Sequence, residues 1–319
     1  MSIAETFAAG ARRSSALSVY GLIAIAILGL VAPHLVYPVF LMNVLCFALF
    51  ACAFNLLMGY SGVLSFGHAA YFGSSAYVAA HCAKVLGFPA EIAILAGVLN
   101  GTVMGVIFGW IAIRRQGIYF GMITLALAQI VFFAALQLPF TGGEDGIQGV
   151  PRRSIFPCLD LNSTLTMYYF VLAIFVIGFF AIYRIVHSPF GQVLRAIREN
   201  EPRTTSLGYD VDRFKLLAFT LSAALSGLAG ATKAIAFQLA TLTDVEFVMS
   251  GEVVLMTLVG GVGTMWGPAL GAAIVVAMQH YLSAFGVWVR AIQGIIFIIC
   301  VLAFRKGIVG EIAAFLKKR

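Results

Sequence analysis

Five uncharged polar side chains stand inside long apolar runs of this 319-residue chain: Asn55, Ser65, His68, Thr124 and Gln129. In hydrocarbon such groups do one kind of chemistry, hydrogen bonding to a neighbouring helix or to a polar solute on its way past. Three of them fall in NLLMGYSGVLSFGHAAYFGSSAYVAAH, residues 55–81, a stretch without Asp, Glu, Lys or Arg but crowded with Gly and Ser. Small residues let helices approach closely, and clusters of them also break helices and free backbone groups to line a polar path. On that basis Asn55, Ser61, Gly62, Ser65 and His68, with Thr124, Gln129, Gly261 and Gly263 farther along, are candidates to line such a path. Plain helix packing explains the same residue types, and both readings stand. Gly101, Gly105 and Gly109, and likewise Ser222, Ser226 and Gly230, have four-residue spacing that reads as packing alone. A lone His such as His68 reads first as a bond from helix to helix.

The elements that must position these residues follow from composition. Apolar residues make up 61% of the chain, charged residues 10%, and the mean hydropathy is +1.00, far from soluble norms. Windows of about 20 apolar residues, the length one helix needs to cross a bilayer, tile nearly the whole sequence. We place spans at 18–35, 37–58, 62–83, 90–113, 117–139, 166–186, 214–236, 249–263, 265–283 and 287–304. The eighth is too short to cross alone, so 249–283 is either a re-entrant pair or one broken helix. The expectation is a single all-α, polytopic membrane domain over 1–319, with about eight to ten spans. The runs are continuous and lack period-two alternation, which excludes a barrel.

Orientation follows from the 20 Lys and Arg residues. Fifteen fall on one side: Arg12, Arg13, Arg114, Arg115, Arg184, Arg195, Arg198, Arg203, Arg213, Lys215, Arg305, Lys306, Lys317, Lys318 and Arg319. Five fall on the other: Lys84, Arg152, Arg153, Lys233 and Arg290. The richer side is cytoplasmic, with both termini on it. The net charge of +7 then reflects topology and not a nucleic-acid surface. The run after Arg12 and Arg13 reads as a signal anchor. Lys233 and Glu252 fall near the outer ends of their spans, where snorkelling accounts for them. Cys46, Cys52, Cys82, Cys158 and Cys300 have no CxxC spacing, so neither a disulfide frame nor a metal site is expected. No phosphate loop, HExxH or dinucleotide turn is present. An enzyme is not indicated, no catalytic residue or cofactor is expected, and energy for transport would come from other chains.

Two loops interrupt the apolar pattern. The external one, about 140–165, is rich in Gly, Pro and Asp and is either a solvated connection or a docking surface. The cytoplasmic one, 188–213, places Leu194, Ile197 and Leu207 among Arg195, Arg198, Glu199, Glu201 and Arg203. That spacing predicts a short amphipathic helix to about Asn200, a break at Pro202 and a second piece ended by Gly208, suited to a membrane surface or a soluble partner.

GYSGVLSFGHAAYFGSSAY (59–77), YFGMITL (119–125), TGGEDGIQG (141–149), SPFGQVLRAIRENE (188–201), LGYDVDRFKLLAFTLSAALSGLAGA (207–231) and GGVGTMWGPALGA (260–272) occur in this order. As a set they resemble the LivM branch of branched-chain amino-acid ABC transporter permeases, over about residues 55 to 305. The resemblance implies a permease subunit of the bacterial inner membrane, paired with a LivH-like permease, two cytoplasmic ATPase subunits and a periplasmic binding protein. It also implies that Arg195, Arg198, Glu199, Asn200, Glu201 and Gly208 belong to a coupling helix seated in the ATPase. Pro202, Arg203 and Thr204 depart from the Ala-rich pattern usual there.

An amino-acid zwitterion in such a path would need N–H groups for its carboxylate, which helix N-termini at a break supply without a buried Arg. GVLSFGHAA and GVGTMWGPA look alike with a one-residue shift, as a repeat or by chance. Urea, short amides or aromatic acids are alternative cargo. A stand-alone secondary transporter is a further alternative, though it would want buried ionisable relays that the expected spans lack.

Overall fold

The computed structural model describes residues 29–115, 117–154, 161–282, 286, 288–303 and 307–311. Most of the expected span 18–35, the anchor with Arg12 and Arg13, Cys158 and the basic residues at 305–306 and 317–319 lie outside these. Pro38, at the first turn where its missing N–H costs nothing, starts α1 (Pro38–Asn55). The chain runs on through a π-helical turn, Leu56–Ser61, completing a 24-residue apolar span. Then come α2 (His68–Lys84), α3 (Ala90–Ala112), α4 (Ile118–Gln137) and α5 (Thr164–Val186). An amphipathic pair, α6 (Pro189–Glu199) and α7 (Glu201–Ser206), leads into α8 (Val211–Phe237). The last helices are α9 (Phe247–Gly260), α10 (Gly267–Leu282) and α11 (Val289–Ala303).

The protein is an all-α, polytopic membrane protein. Among the described residues five helices are long and apolar enough to cross a bilayer: α1 with its π turn, α3, α4, α5 and α8. α2, α9, α10 and α11 are shorter. α9 and α10 extend about 21 and 24 Å at 1.5 Å per residue and form a hairpin. A Cβ on Gly271 would fall 1.8 Å from the Met256 carbonyl oxygen, and one on Gly260 1.9 Å from that of Gly267. This answers the question left open over 249–283: the segment is a packed pair. The third expected span also begins later than its apolar run, because residues 62–67 are not helical.

α8 lies at the centre. α3 packs on it through the glycines whose spacing suggested packing: a Cβ on Gly101 would lie 2.8 Å from the Ala223 carbonyl oxygen, and one on Gly105 2.6 Å from Ala223 Cβ. On another face Gly230 backs onto the Phe72 carbonyl of α2. α4 is peripheral and leaves Ile118, Met122, Ile130 and Phe133 exposed, an apolar surface that suits lipid or another chain.

At the end away from α6, β1 (Ile147–Gln148) pairs antiparallel with β2 (Leu239–Ala240). Arg152 donates to the Ala236 carbonyl, and Lys84 Nζ donates to the Gln148 carbonyl at 2.7 Å. The loop around 140–154 is thereby folded onto the ends of α2 and α8. Lys233 corrects one expectation. Instead of snorkelling it pairs with the buried Asp244, beside the Phe47 and Phe72 rings at 5.3 and 5.6 Å. The cause is the chain's return through β2 and a 3-10 turn, Leu242–Asp244, which puts a carboxylate within reach.

Candidate functional site

The π turn is the centre of the site. Its geometry spoils regular i to i−4 bonding, and such turns concentrate at functional positions. It ends at Gly62, whose φ of 77° is a left-handed conformation that disfavours any side chain. Gly59 lies within it. A Cβ there would meet Asn55 Oδ1 at 2.1 Å and the Gly263 nitrogen at 2.8 Å, so the missing side chain is what lets the turn between α9 and α10 approach.

Asn55 fastens that approach. Its Oδ1 accepts from Gly263 N–H at 2.9 Å and its Nδ2 donates to the Thr264 carbonyl at 2.9 Å. The side chain is 3% exposed and is committed to backbone. The two Gly-rich clusters noted in the sequence are thus brought into contact, with Gly261 and Gly263 on one side and Asn55, Gly59, Ser61 and Gly62 on the other. Ser61 donates to the Leu57 carbonyl of its own turn.

α6 closes over this junction. Ser188 caps it, accepting from Gly191 N–H at 3.4 Å, and its apolar face buries Leu194 and Ile197. The expected amphipathic helix is present with the expected break after it. Arg198 is exposed overall, yet its guanidinium reaches the π turn: it donates to the Gly59 carbonyl, lies against Gly62, and has Nη1 2.7 Å from where a Gly263 Cβ would stand. Arg195 covers the Tyr60 ring at 5.3 Å. Both arginines therefore grip the π turn from the end of the bundle that carries α6 and α7.

The other residues of the amphipathic pair divide between structure and open surface. Asn200 caps α7, its Oδ1 accepting from Arg203 N–H at 3.0 Å. Glu201 pairs with Lys215 of α8 at 2.7 Å. Glu199 is exposed, and so is Leu207, at 70%. Gly208 has a φ of 91° with nothing within 4 Å of a Cβ position. That left-handed conformation disfavours any side chain at this exposed turn.

Farther into the bundle, residues 62–67 run from the π turn to α2. Phe66 N–H donates to Thr124 Oγ1 at 3.1 Å, Gly67 N–H to Ser65 Oγ at 3.2 Å and Ala69 N–H to Ser250 Oγ at 3.0 Å. His68 is fully buried with Nε2 2.8 Å from Ser222 Oγ, and that hydroxyl donates to the Ala53 carbonyl at 2.6 Å. The hydroxyl's one hydrogen is spent on Ala53, so Nε2 carries the proton and Nδ1 is an acceptor. Nδ1 has no hydrogen-bond partner among the described residues. His68 thus joins α1, α2 and α8 as the bland reading held. Gln129 is half-buried on α4 and is not brought into this group.

Against the end of the π turn lies a cavity of about 570 Å³ bordered by Gly62, Phe66, Gly121, Arg198, Glu201 and Lys215. A second, of about 510 Å³, opens between α4, α9 and α11 and is lined by Phe66, Leu125, Phe247, Glu252, Gln293 and Phe297. Glu252 also departs from the snorkelling expectation: it is half-buried, and its Oε2 accepts from Gln279 Nε2 of α10 at 2.9 Å. An acid within an apolar run was the signal in the sequence that could have pointed to a buried polar contact instead. Among the described residues no three His, Cys, Asp or Glu come together as metal ligands would.

Comparison with known proteins agrees with this architecture. The chain is 28% identical over 255 residues to the high-affinity branched-chain amino acid transport system permease protein LivM of Salmonella typhimurium, and 27% identical over 255 residues to that of Escherichia coli. Each match covers 72% of this chain and 60% of the relative, so the chain spans about three fifths of those proteins. The ribose import permease protein RbsC of Bacillus subtilis is 29% identical over 189 residues, covering 56% of this chain and 58% of that one. No solved structure matches. The profile of the branched-chain amino acid transport system / permease component family matches residues 38–301. With a match over most of the chain, and with its apolar spans joined by Gly-rich breaks, the protein belongs to that permease family.

Proposed function

We propose that this chain is the LivM-like half of the membrane domain of an ABC importer, moving branched-chain amino acids inward by alternating access. It pairs with a LivH-like permease and receives solute from a periplasmic binding protein. ATP hydrolysis on two cytoplasmic ATPase subunits drives it, from the same side of the inner membrane as α6, α7 and both termini. The observation that carries this reading is the two-sided build of α6 and α7. Their inner face buries Leu194 and Ile197, and the exposed Arg195 and Arg198 reach over onto the π turn, while Glu199, Leu207 and Gly208 stay on the outside. A large apolar side chain left exposed beside a turn, on an otherwise polar helix pair, fits a groove on a soluble partner. Displacing α6 would then pull directly on the contact between the two Gly-rich breaks.

The test uses the assembled complex. Wild type should take up labelled leucine, with urea and benzoate as comparison solutes. Leu207→Asp and Gly208→Leu should each lose co-purifying ATPase subunits while the permease pair stays intact. Normal leucine uptake with ATPases still attached to both variants would refute the docking role.

A further inference from the structure

The groove between α4, α9 and α11 has the composition of a site for a small zwitterion with an apolar side chain. Its walls are Phe66, Leu125, Phe247 and Phe297, and within them stand one carboxylate, Glu252, and one amide, Gln293. A volume of about 510 Å³ is ample for such a solute, since ligand sites run roughly 300–1,000 Å³ and are mostly apolar with a few placed polar groups. Glu252 is the one charged residue of its helix, more than a turn from either end, and Gln279 holds its carboxylate across the α9–α10 hairpin at 2.9 Å. A carboxylate has two oxygens able to accept several N–H donors at once, so an ammonium can add to the partners that Glu252 already has, Gln279 among them. Gln293, on α11, is 8% exposed and offers N–H donors suited to a carboxylate.

The groove also adjoins the moving parts described above. Phe66 lines it and belongs to the non-helical run 62–67, and it lines the cavity beside Arg198 as well. A change at the π turn therefore has a short path to this wall. Two glycines make the groove roomy: a Cβ on Gly251 or on Gly294 would meet nothing within 4 Å.

We propose that this groove is the amino-acid subsite of the translocation path, with Glu252 receiving the substrate ammonium and the phenylalanine and leucine walls taking its branched side chain. The proposal rests on the reading of the chain as an amino-acid permease, and it assigns the site to residues outside the Gly-rich breaks.

Uptake per assembled complex, at saturating binding protein and leucine, tests it. Glu252→Gln keeps the shape and the acceptor for Gln279 while removing the charge. It should slow leucine uptake about tenfold or more, with ATPases and partner permease still co-purifying. Glu252→Asp should restore part of the rate. Gly251→Leu would project into the open groove without a clash in this chain, and should block uptake while leaving the thermal unfolding temperature unchanged. Wild-type uptake in Glu252→Gln or in Gly251→Leu would overturn the site. Loss of the partner permease from either variant would also overturn it, by making this face a subunit interface. A wild-type complex that carried no amino acid would remove the permease reading itself, an outcome visible before any variant is made.

Discussion

The two Gly-rich breaks are alike in sequence and unlike in construction. The second, 261–266, is largely self-sufficient: Thr264 Oγ1 donates to the Gly261 carbonyl at 2.7 Å and accepts from Gly267 N–H at 3.1 Å, capping α10 from within. The first, 56–67, is held from outside by Arg198 of α6 and Thr124 of α4, and the start of α2 that follows it is held by Ser250 of α9 and, through His68, by Ser222 of α8. A turn that satisfies its own backbone groups is a rigid anchor. A segment whose backbone bonds are shared with neighbouring helices responds when one of them moves. Asn55, at the end of α1 just before the first break, ties it to the second.

The most damaging change to this arrangement is Gly59→Val, because the new side chain would meet Asn55 Oδ1 and backbone of the second break. We expect a loss of about 4 kcal/mol from overpacking together with unpaired polar groups, seen as a fall in the unfolding temperature of the detergent-solubilised protein. If Gly59→Val were as stable as wild type, the contact between the breaks would be wrong. Asn55→Leu comes next. It strands the Gly263 N–H and the Thr264 carbonyl, costing about 2–4 kcal/mol, and hydrogen exchange should rise at 263–264 more than at 62–67.

Arg198→Ala sharpens the contrast from the α6 side. Losing a charged donor to the Gly59 carbonyl should cost about 1.5–3 kcal/mol locally. The expected signature is slowed uptake with the ATPases retained, which Arg198→Lys partly rescues. Should the ATPases fall away instead, the arginine serves the outer face. Ser65→Ala is the mildest, at about 1 kcal/mol. It removes one acceptor from a segment that keeps its bonds to Arg198 and Thr124, so only the exchange rate of the Gly67 amide should change appreciably.

Much of the fold was legible because its causes are local or compositional. Continuous apolar runs fix helices in a bilayer whatever their neighbours, and the expected starts at 37, 90, 117 and 166 fall within two residues of α1, α3, α4 and α5. The amphipathic spacing of 188–207 fixed α6 and α7 in the same way. The site was legible in a weaker sense. Glycine clusters marked where helices break, but the residues chosen around them had mixed fates. Asn55 and Arg198 meet at the junction, while Gln129 stands apart. That the exposed Arg198 also reaches the Gly59 carbonyl was not legible, since helical spacing says which residues share a face and not what that face meets.

Residue type and period therefore determined, without any partner, that this chain is a membrane-embedded helical protein with one amphipathic pair, and left the two Gly-rich clusters open between breaks and packing. Only the tertiary structure decided that Asn55 bonds Gly263 and Thr264, some 208 residues away, that Lys233 finds Asp244, and that Glu252 lines a groove beside Gln293. The reason is physical. Hydrophobicity and backbone geometry act over one or two turns and can be read along the chain. The partner of a polar group in hydrocarbon is set by which helices pack together, and that depends on surfaces far apart in sequence.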